Sequence, residues 1–328
     1  MQAPARTDMR CLLAALATLT TAASPALADD IPLLSVGAFV DGDLADASLI
    51  GPSGQVYVRD AENATPRWVR HHPGGFSADI TGAARLSGKA QQLVIAGKAA
   101  PLFRWQNTSW TAMPIGQKGK TVLGTGPVAC VAIGRQIFVW KDEKMLRVGT
   151  APGPVVGVWA ASDKDVRIVT DKAVLRLRGK TFSPVALGNP AFANGPLIGG
   201  TRAFLVAGSK LVDIDRGRST DVGAPIVRAS SVSSGKTTAY AVVVLQASDN
   251  KIQVKLLTYE GSAAAIVADL PSPAASAANA VLVDRHGHVL LTPSTGKPWL
   301  YRDGAWQAVA VDSELAAAKS GPGPAFTQ

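Results

Sequence analysis

One phrase recurs along this 328-residue chain and restricts what it can fold into. Its fullest form is Pro101-Leu-Phe-Arg-Trp-Gln-Asn-Thr-Ser-Trp-Thr-Ala-Met-Pro114: a short strand ending in Trp105, a polar turn, and a second short strand opened by Trp110. Weaker versions stand at 66–76, 136–145, 173–182 and 299–306. The position that opens the second strand falls at Phe76, Trp110, Met145, Phe182, Thr220, a point near Ala264, and Trp306. The successive gaps are 34, 35, 37, 38, 44 and 42 residues. Spacing this regular marks one supersecondary unit used repeatedly.

Two further strands precede each phrase. In the fourth unit strands are expected over 155–161, 166–170, 174–178 and 182–187, separated by Asp163-Lys164, Asp171-Lys172 and Gly179-Lys180. The third of these alternates Val174, Leu175, Arg176, Leu177, Arg178, the period of a sheet with one wetter face. A lone four-stranded sheet cannot cover both of its faces. Sheets stacked around an axis cover one another, and closing the stack leaves only short edges. Seven such units predict an all-β fold, a seven-bladed β-propeller of four-stranded blades. Units five and six are degenerate, which keeps six or eight blades open, and a two-domain β-sandwich is the rival fold. The apolar segment 31–40 is expected as an extra strand that closes the ring. Composition agrees: 17% of residues are charged, against roughly 25% in a typical soluble protein. Gly (32) and Pro (21) supply many tight turns.

The ends read differently. Residues 1–28 have Arg6 and Arg10, an apolar run over 11–21, and Ala26-Leu-Ala28, the pattern of a secretory signal peptide. That run is shorter than the roughly 20 residues of a spanning helix, and no other segment approaches the length, so no transmembrane segment is expected. The expected organisation is a signal peptide over 1–28, a single propeller domain over 29–311 and a flexible tail over 312–328. The tail carries helical composition over 311–319 before Ser320-Gly-Pro-Gly-Pro324 breaks it. Without the leader, 31 basic and 23 acidic residues remain, a net charge of +8. In a periplasmic or secreted setting this points away from nucleic acid and toward anionic envelope polymers, acidic proteins or simple solubility. Cys130 is then the lone cysteine, inside an apolar run, and reads as a small core residue.

The phrases 103–110 and 301–306 resemble the tectonin-type repeat, and that resemblance implies binding, often of glycans or lipopolysaccharide, without catalysis. Gly51-Pro-Ser-Gly-Gln-Val-Tyr-Val58 and Asp284-Arg-His-Gly-His-Val-Leu-Leu291 resemble the turn-and-strand phrase of NHL-like propellers and lactonases. The same phrase is also a generic hairpin in which Gly supplies a positive φ.

Candidate site residues follow from these phrases. Trp105 and Trp140 stand at strand ends beside polar turns, where a ring either stacks on a sugar or fills the space between blades. Arg70, Arg104 and Arg302 recur beside the aromatics, as a basic rim for an anionic glycan or as the solvated side of outer strands. The four histidines form two pairs, His71-His72 and His286-Gly-His288. Placed in turns of the first and last blades on one face, they would suit a borderline metal such as zinc. For a hydrolase, Glu62, Glu143 and Glu260 fall near expected turns, and turn chemistry already explains most Asp residues. The expected function is an exported, non-enzymatic, monomeric binding or scaffold module for a periplasmic protein partner, without a cofactor. The alternatives are a tectonin-like lectin for an anionic envelope glycan and a lactonase-like hydrolase.

Overall fold

The computed structural model describes residues 35–36, 44, 48–51, 53–59, 67–75, 80–85, 93–97, 102–106, 109–113, 115–116, 119–124, 126–187, 197–199, 202–234, 238–246, 251–260, 263–273, 275 and 277–315. The strands form seven sheets among these residues. The first holds β1 (Ser35–Val36), β2 (Ser48–Ile50), β3 (Gln55–Arg59) and β4 (Arg67–Pro73). The second holds β5 (Ile80–Arg85), β6 (Leu93–Gly97), β7 (Phe103–Gln106) and β8 (Ser109–Ala112). The third holds β9 (Thr121–Leu123), β10 (Cys130–Ile133), β11 (Gln136–Lys141) and β12 (Lys144–Thr150). The fourth holds β13 (Val155–Ala160), β14 (Val166–Thr170), β15 (Val174–Arg178) and β16 (Thr181–Pro184). The fifth holds β17 (Leu197–Gly199), β18 (Ala203–Ala207), β19 (Lys210–Asp213) and β20 (Arg218–Asp221). The sixth holds β21 (Ile226–Ser234), β22 (Thr238–Gln246), β23 (Ile252–Glu260) and β24 (Ala263–Leu270). The seventh holds β25 (Ala278–Val283), β26 (Val289–Pro293), β27 (Trp299–Arg302) and β28 (Ala305–Ala308), and β29 (Ala310–Leu315) joins the first sheet.

Within each sheet, strands adjacent in sequence pair antiparallel; β29 alone runs parallel to its neighbour, β4. The first strands of successive sheets touch: β1 meets β5, β5 meets β9, and the contacts continue through β13, β17 and β21 to β25, which meets β1. Burial follows position in the sheet. In the third sheet every residue of β10 is buried, β11 is buried except at its ends, and β12 is largely exposed. Inner strands are covered on both faces by neighbouring sheets and so read as continuous apolar runs, while Lys144 and Arg147 are left to the outer strand. The core is accordingly a set of layers between sheets. Between the third and fourth lie Cys130, Ile137, Val158 and Ile168. Between the first and seventh lie Tyr57, Trp68, Leu290 and Leu300. Each such aliphatic side chain contributes about 1.5–3 kcal/mol when fully buried.

The fourth unit forms the four expected strands with only end differences. Three expectations are corrected. The fourth strand of the first sheet opens at Arg67-Trp68, and Phe76, expected there, lies outside the described residues. The run from Arg67 to His72 contains no turn former, so it stays one strand until Pro73-Gly74-Gly75, where both glycines take positive φ (89° and 136°). Segment 31–40 supplies β1, the innermost strand of the first sheet, and the added fifth strand comes from the other end of the chain. Residues 310–315, expected to lead into a frayed helical tail, are that strand. Val311 packs against the cluster around Trp68, and Asp312 pairs with Arg67. The open edge of β4 offers backbone partners that outweigh a local helical composition. The expected leader (1–28) and the remainder of the tail (316–328) lie outside the described residues. Among the described residues no helix is long and apolar enough to cross a membrane.

Candidate functional site

The aromatic phrase that organises the sequence joins one sheet to the sheet before it. Trp105 on β7 and Trp110 on β8 are cross-strand partners with ring centroids 5.1 Å apart. The Trp110 indole N–H donates to the Gly54 carbonyl of the first sheet at 2.9 Å, and the His72 ring meets Trp105 edge-on at 5.0 Å. The arrangement repeats. Trp140 of the third sheet belongs to a core cluster against which Met113 and Ile115, which follow β8, are packed. Phe182 of the fourth sheet lies over Gly149 of the third, where an added Cβ would come within 2.9 Å of Cε2. The Trp306 indole donates to the Pro271 carbonyl, just after β24. Two of these hairpins turn through residues with positive φ, Asp142-Glu143 and Asp303-Gly304, the backbone that matches strand twist in a two-residue connection.

Of the two roles expected for Trp105 and Trp140, the packing between sheets is the one their surroundings match. They are 7% and 5% exposed, and their faces are taken by protein. Arg104 lies over the Trp140 ring at 5.6 Å and pairs with Glu143 at 3.2 Å, tying the second sheet to the third. Arg70 on β4 stands opposite Tyr57, and exposed Arg302 on β27 pairs with Asp303 at 3.2 Å. The three arginines thus occupy three sheets, each with its own local neighbour.

The histidine pairs are not brought together on one face. His71 and His72 lie in β4, beside the β2–β3 turn, because His72 pairs in register with Val56. His286 and His288 lie in the β25–β26 turn, which faces the β1–β2 connection through a contact between the Leu44 N–H and Asp284 Oδ2 (3.5 Å). Those two regions are at opposite ends of β2. His72 is buried; its Nδ1 accepts from the Gly74 N–H at 3.0 Å, and the ring also bonds the Gly54 backbone. Burial lowers its proton affinity, and the Gly54 bond opposes this in part. His288 Nδ1 lies 2.9 Å from buried Asp284, whose Oδ1 also accepts from the His286 and His288 amides at 2.8 and 2.9 Å. Asp284 therefore organises the turn. Among the described residues no group of three or more histidine, cysteine or acidic side chains could hold a metal.

Two features were not legible beforehand. Buried Arg167 on β14 lies over the Trp159 ring at 4.5 Å and pairs with Asp165 at 3.2 Å and with Asp215 of the fifth sheet. Neighbouring Asp213 is buried, and desolvation followed by the charge of Asp215 pushes its carboxyl above the usual range. The second is a groove of about 660 Å³ between the third and fourth sheets. Arg135 enters from the β10–β11 turn, Arg147 and Thr150 from β12, and Lys180, Thr181 and Phe182 from the β15–β16 hairpin. The basic residues come from two units, so only the alignment of repeats in space shows them as a set.

No protein-family model matches the chain, and no curated protein sequence does. Solved structures do match. The WD40 β-propeller domain of Doa1 aligns at a TM-score of 0.58 and 13% identity, covering 81% of this chain and 91% of that one. The extracellular domain of BT4673 from B. thetaiotaomicron aligns at a TM-score of 0.51 and 9% identity, covering 84% of this chain and 39% of that one. With the four-stranded antiparallel sheets, these likenesses identify a β-propeller fold.

Proposed function

We propose that the chain is an exported, seven-bladed β-propeller that binds a protein partner and performs no chemical step. The blade count rests on seven sheets whose first strands touch in succession and from last to first. Export rests on the pattern of residues 1–28.

The observation that carries the binding reading is the outer edge of the sixth sheet. β24 has eight residues, Asp269 is its one charged residue, and Ile266 and Val267 are 42% and 52% exposed. The register shifts there, with Leu256 opposite Ala268 and Leu257 opposite Ile266, so Val267 has no strand partner. The outer strands β12 and β20 carry charges, Lys144 and Arg147 on one and Arg218 and Asp221 on the other, while the uncharged β8, β16 and β28 have only four residues each. A long apolar edge recruits another chain by strand addition. The first sheet already does so with its own β29. The partner is therefore a protein offering an extended apolar segment. Burial of Trp105 and Trp140 weighs against the tectonin-like lectin, whose stacking faces they were.

The test is capture from envelope extract by residues 29–328, comparing wild type with Val267→Lys. One protein retained near equal stoichiometry by the wild type and lost by the variant supports the reading. Retention of polysaccharide released by free sugar, or capture indifferent to the substitution, would overturn it.

A further inference from the structure

We propose that the groove between the third and fourth sheets binds a phosphate monoester, its dianionic group among Arg135, Arg147 and Lys180 and its organic part on Phe182. This goes beyond the protein-partner reading and does not depend on it. The groove lining contains three cations and no carboxylate. Several cations elsewhere are neutralised locally: Arg67 by Asp312, Arg104 by Glu143, Lys141 by Asp163, Arg167 by Asp165 and Asp215, Lys255 by Asp269. Arg135, Arg147 and Lys180 form no ion pair among the described residues.

Two of the cations are also held in place. Arg135 Nε donates to the Ala151 carbonyl at 2.9 Å, which leaves its terminal nitrogens directed elsewhere. One terminal nitrogen of Arg147 donates to the Thr150 hydroxyl at 2.8 Å. Forked guanidinium groups suit the oxygens of a tetrahedral anion, and a double negative charge offsets three clustered cations better than a single carboxylate does. Besides the hydroxyls of Thr150 and Thr181, the lining has an apolar part formed by Val148, Pro152 and Phe182. Gly149 sets the depth of this floor, since any Cβ there would strike the Phe182 ring. A cluster of charge beside an apolar wall selects an anion carried on an organic group over a bare ion.

Isothermal titration calorimetry of residues 29–328 with phenyl phosphate, inorganic phosphate and benzoate tests this. One site is expected, with phenyl phosphate bound more tightly than either of the others. Arg135→Gln and Arg147→Gln should each weaken phenyl phosphate about tenfold, the loss of one charge-assisted contact. Lys172→Gln, in the β14–β15 turn outside the groove, should leave it unchanged. If an arginine variant fails to fold by circular dichroism, Lys180→Gln supplies the same comparison. Absence of saturable binding at millimolar phenyl phosphate, or equal affinity in folded groove variants, would overturn the site. Inorganic phosphate binding as tightly as the ester would overturn the role of Phe182.

Discussion

Replacing Trp110 separates a wedge between sheets from a surface platform. The side chain is buried, donates to the Gly54 carbonyl at 2.9 Å and packs on Trp105. Truncating a buried Trp to Ala costs about 3–5 kcal/mol. Phenylalanine keeps one ring. It loses a hydrogen bond worth about 0.5–1.5 kcal/mol and some apolar area worth about 1 kcal/mol, while His72 still engages the Gly54 backbone. Unfolding entropy of about 2.1 cal/mol/K per residue makes 1 kcal/mol worth roughly 1.6 °C over some 300 residues. Differential scanning calorimetry should therefore show Trp110→Ala melting about 5–8 °C below wild type and Trp110→Phe about 3 °C below. A loss under about 1 °C for Trp110→Ala would refute the reasoning, because only an exposed ring is removed so cheaply.

Three other outcomes follow from packing and charge. Burial lowers the proton affinity of His72, so the unfolded chain protonates first as pH falls through the ordinary histidine range near 6.5. Stability from this group is complete above that value and declines below it until the folded imidazole also protonates. His72→Gln, which can keep both hydrogen bonds without titrating, should lose less stability between about pH 7.5 and 5.5 in urea denaturation; an unchanged loss would exclude His72 as a contributor. Gly124→Ala places a Cβ 2.2 Å from Cys130 Sγ and 2.7 Å from the Val158 carbonyl of the next sheet. It should cost about 1–3 kcal/mol, and Cys130→Ala should restore part of that but not all. Asp213 has a raised folded pKa, so its contribution is present at low pH and lost as pH rises through that value. Asp213→Asn keeps an acceptor for the Asp215 and Arg216 amides and should melt above wild type at neutral pH, an advantage that fades in acid.

The fourth unit was legible because β-branched and leucine residues alternate between Asp- and Gly-containing turns, and local preference there agrees with the fold. The first unit was misread because Pro73-Gly74-Gly75 looks like a hairpin turn, although it ends the fourth strand, β4. The sequence of β29, Ala-Val-Asp-Ser-Glu-Leu, favours helix locally; only the vacant edge of β4 makes it a strand. The candidate site suffered from the same limit. Trp105 and Trp110 alternate identically whether their rings face solvent or the preceding sheet, and the neighbours that decide, His72 and Gly54, stand far back in the chain, Gly54 56 residues from Trp110. Arg135, Arg147 and Lys180 look like unrelated turn and edge cations until the third and fourth sheets stand side by side.

Small-angle X-ray scattering on residues 29–315 tests most directly the proposal that the sheets form a closed ring, with β25 meeting β1 and β29 joining the first sheet. A closed ring of this length should have a radius of gyration of about 19 Å and no scattering pairs beyond the diameter of a disc. A clearly larger radius, with a long tail in the pair-distance distribution, would mean an open row of sheets and contradict the proposed closed propeller.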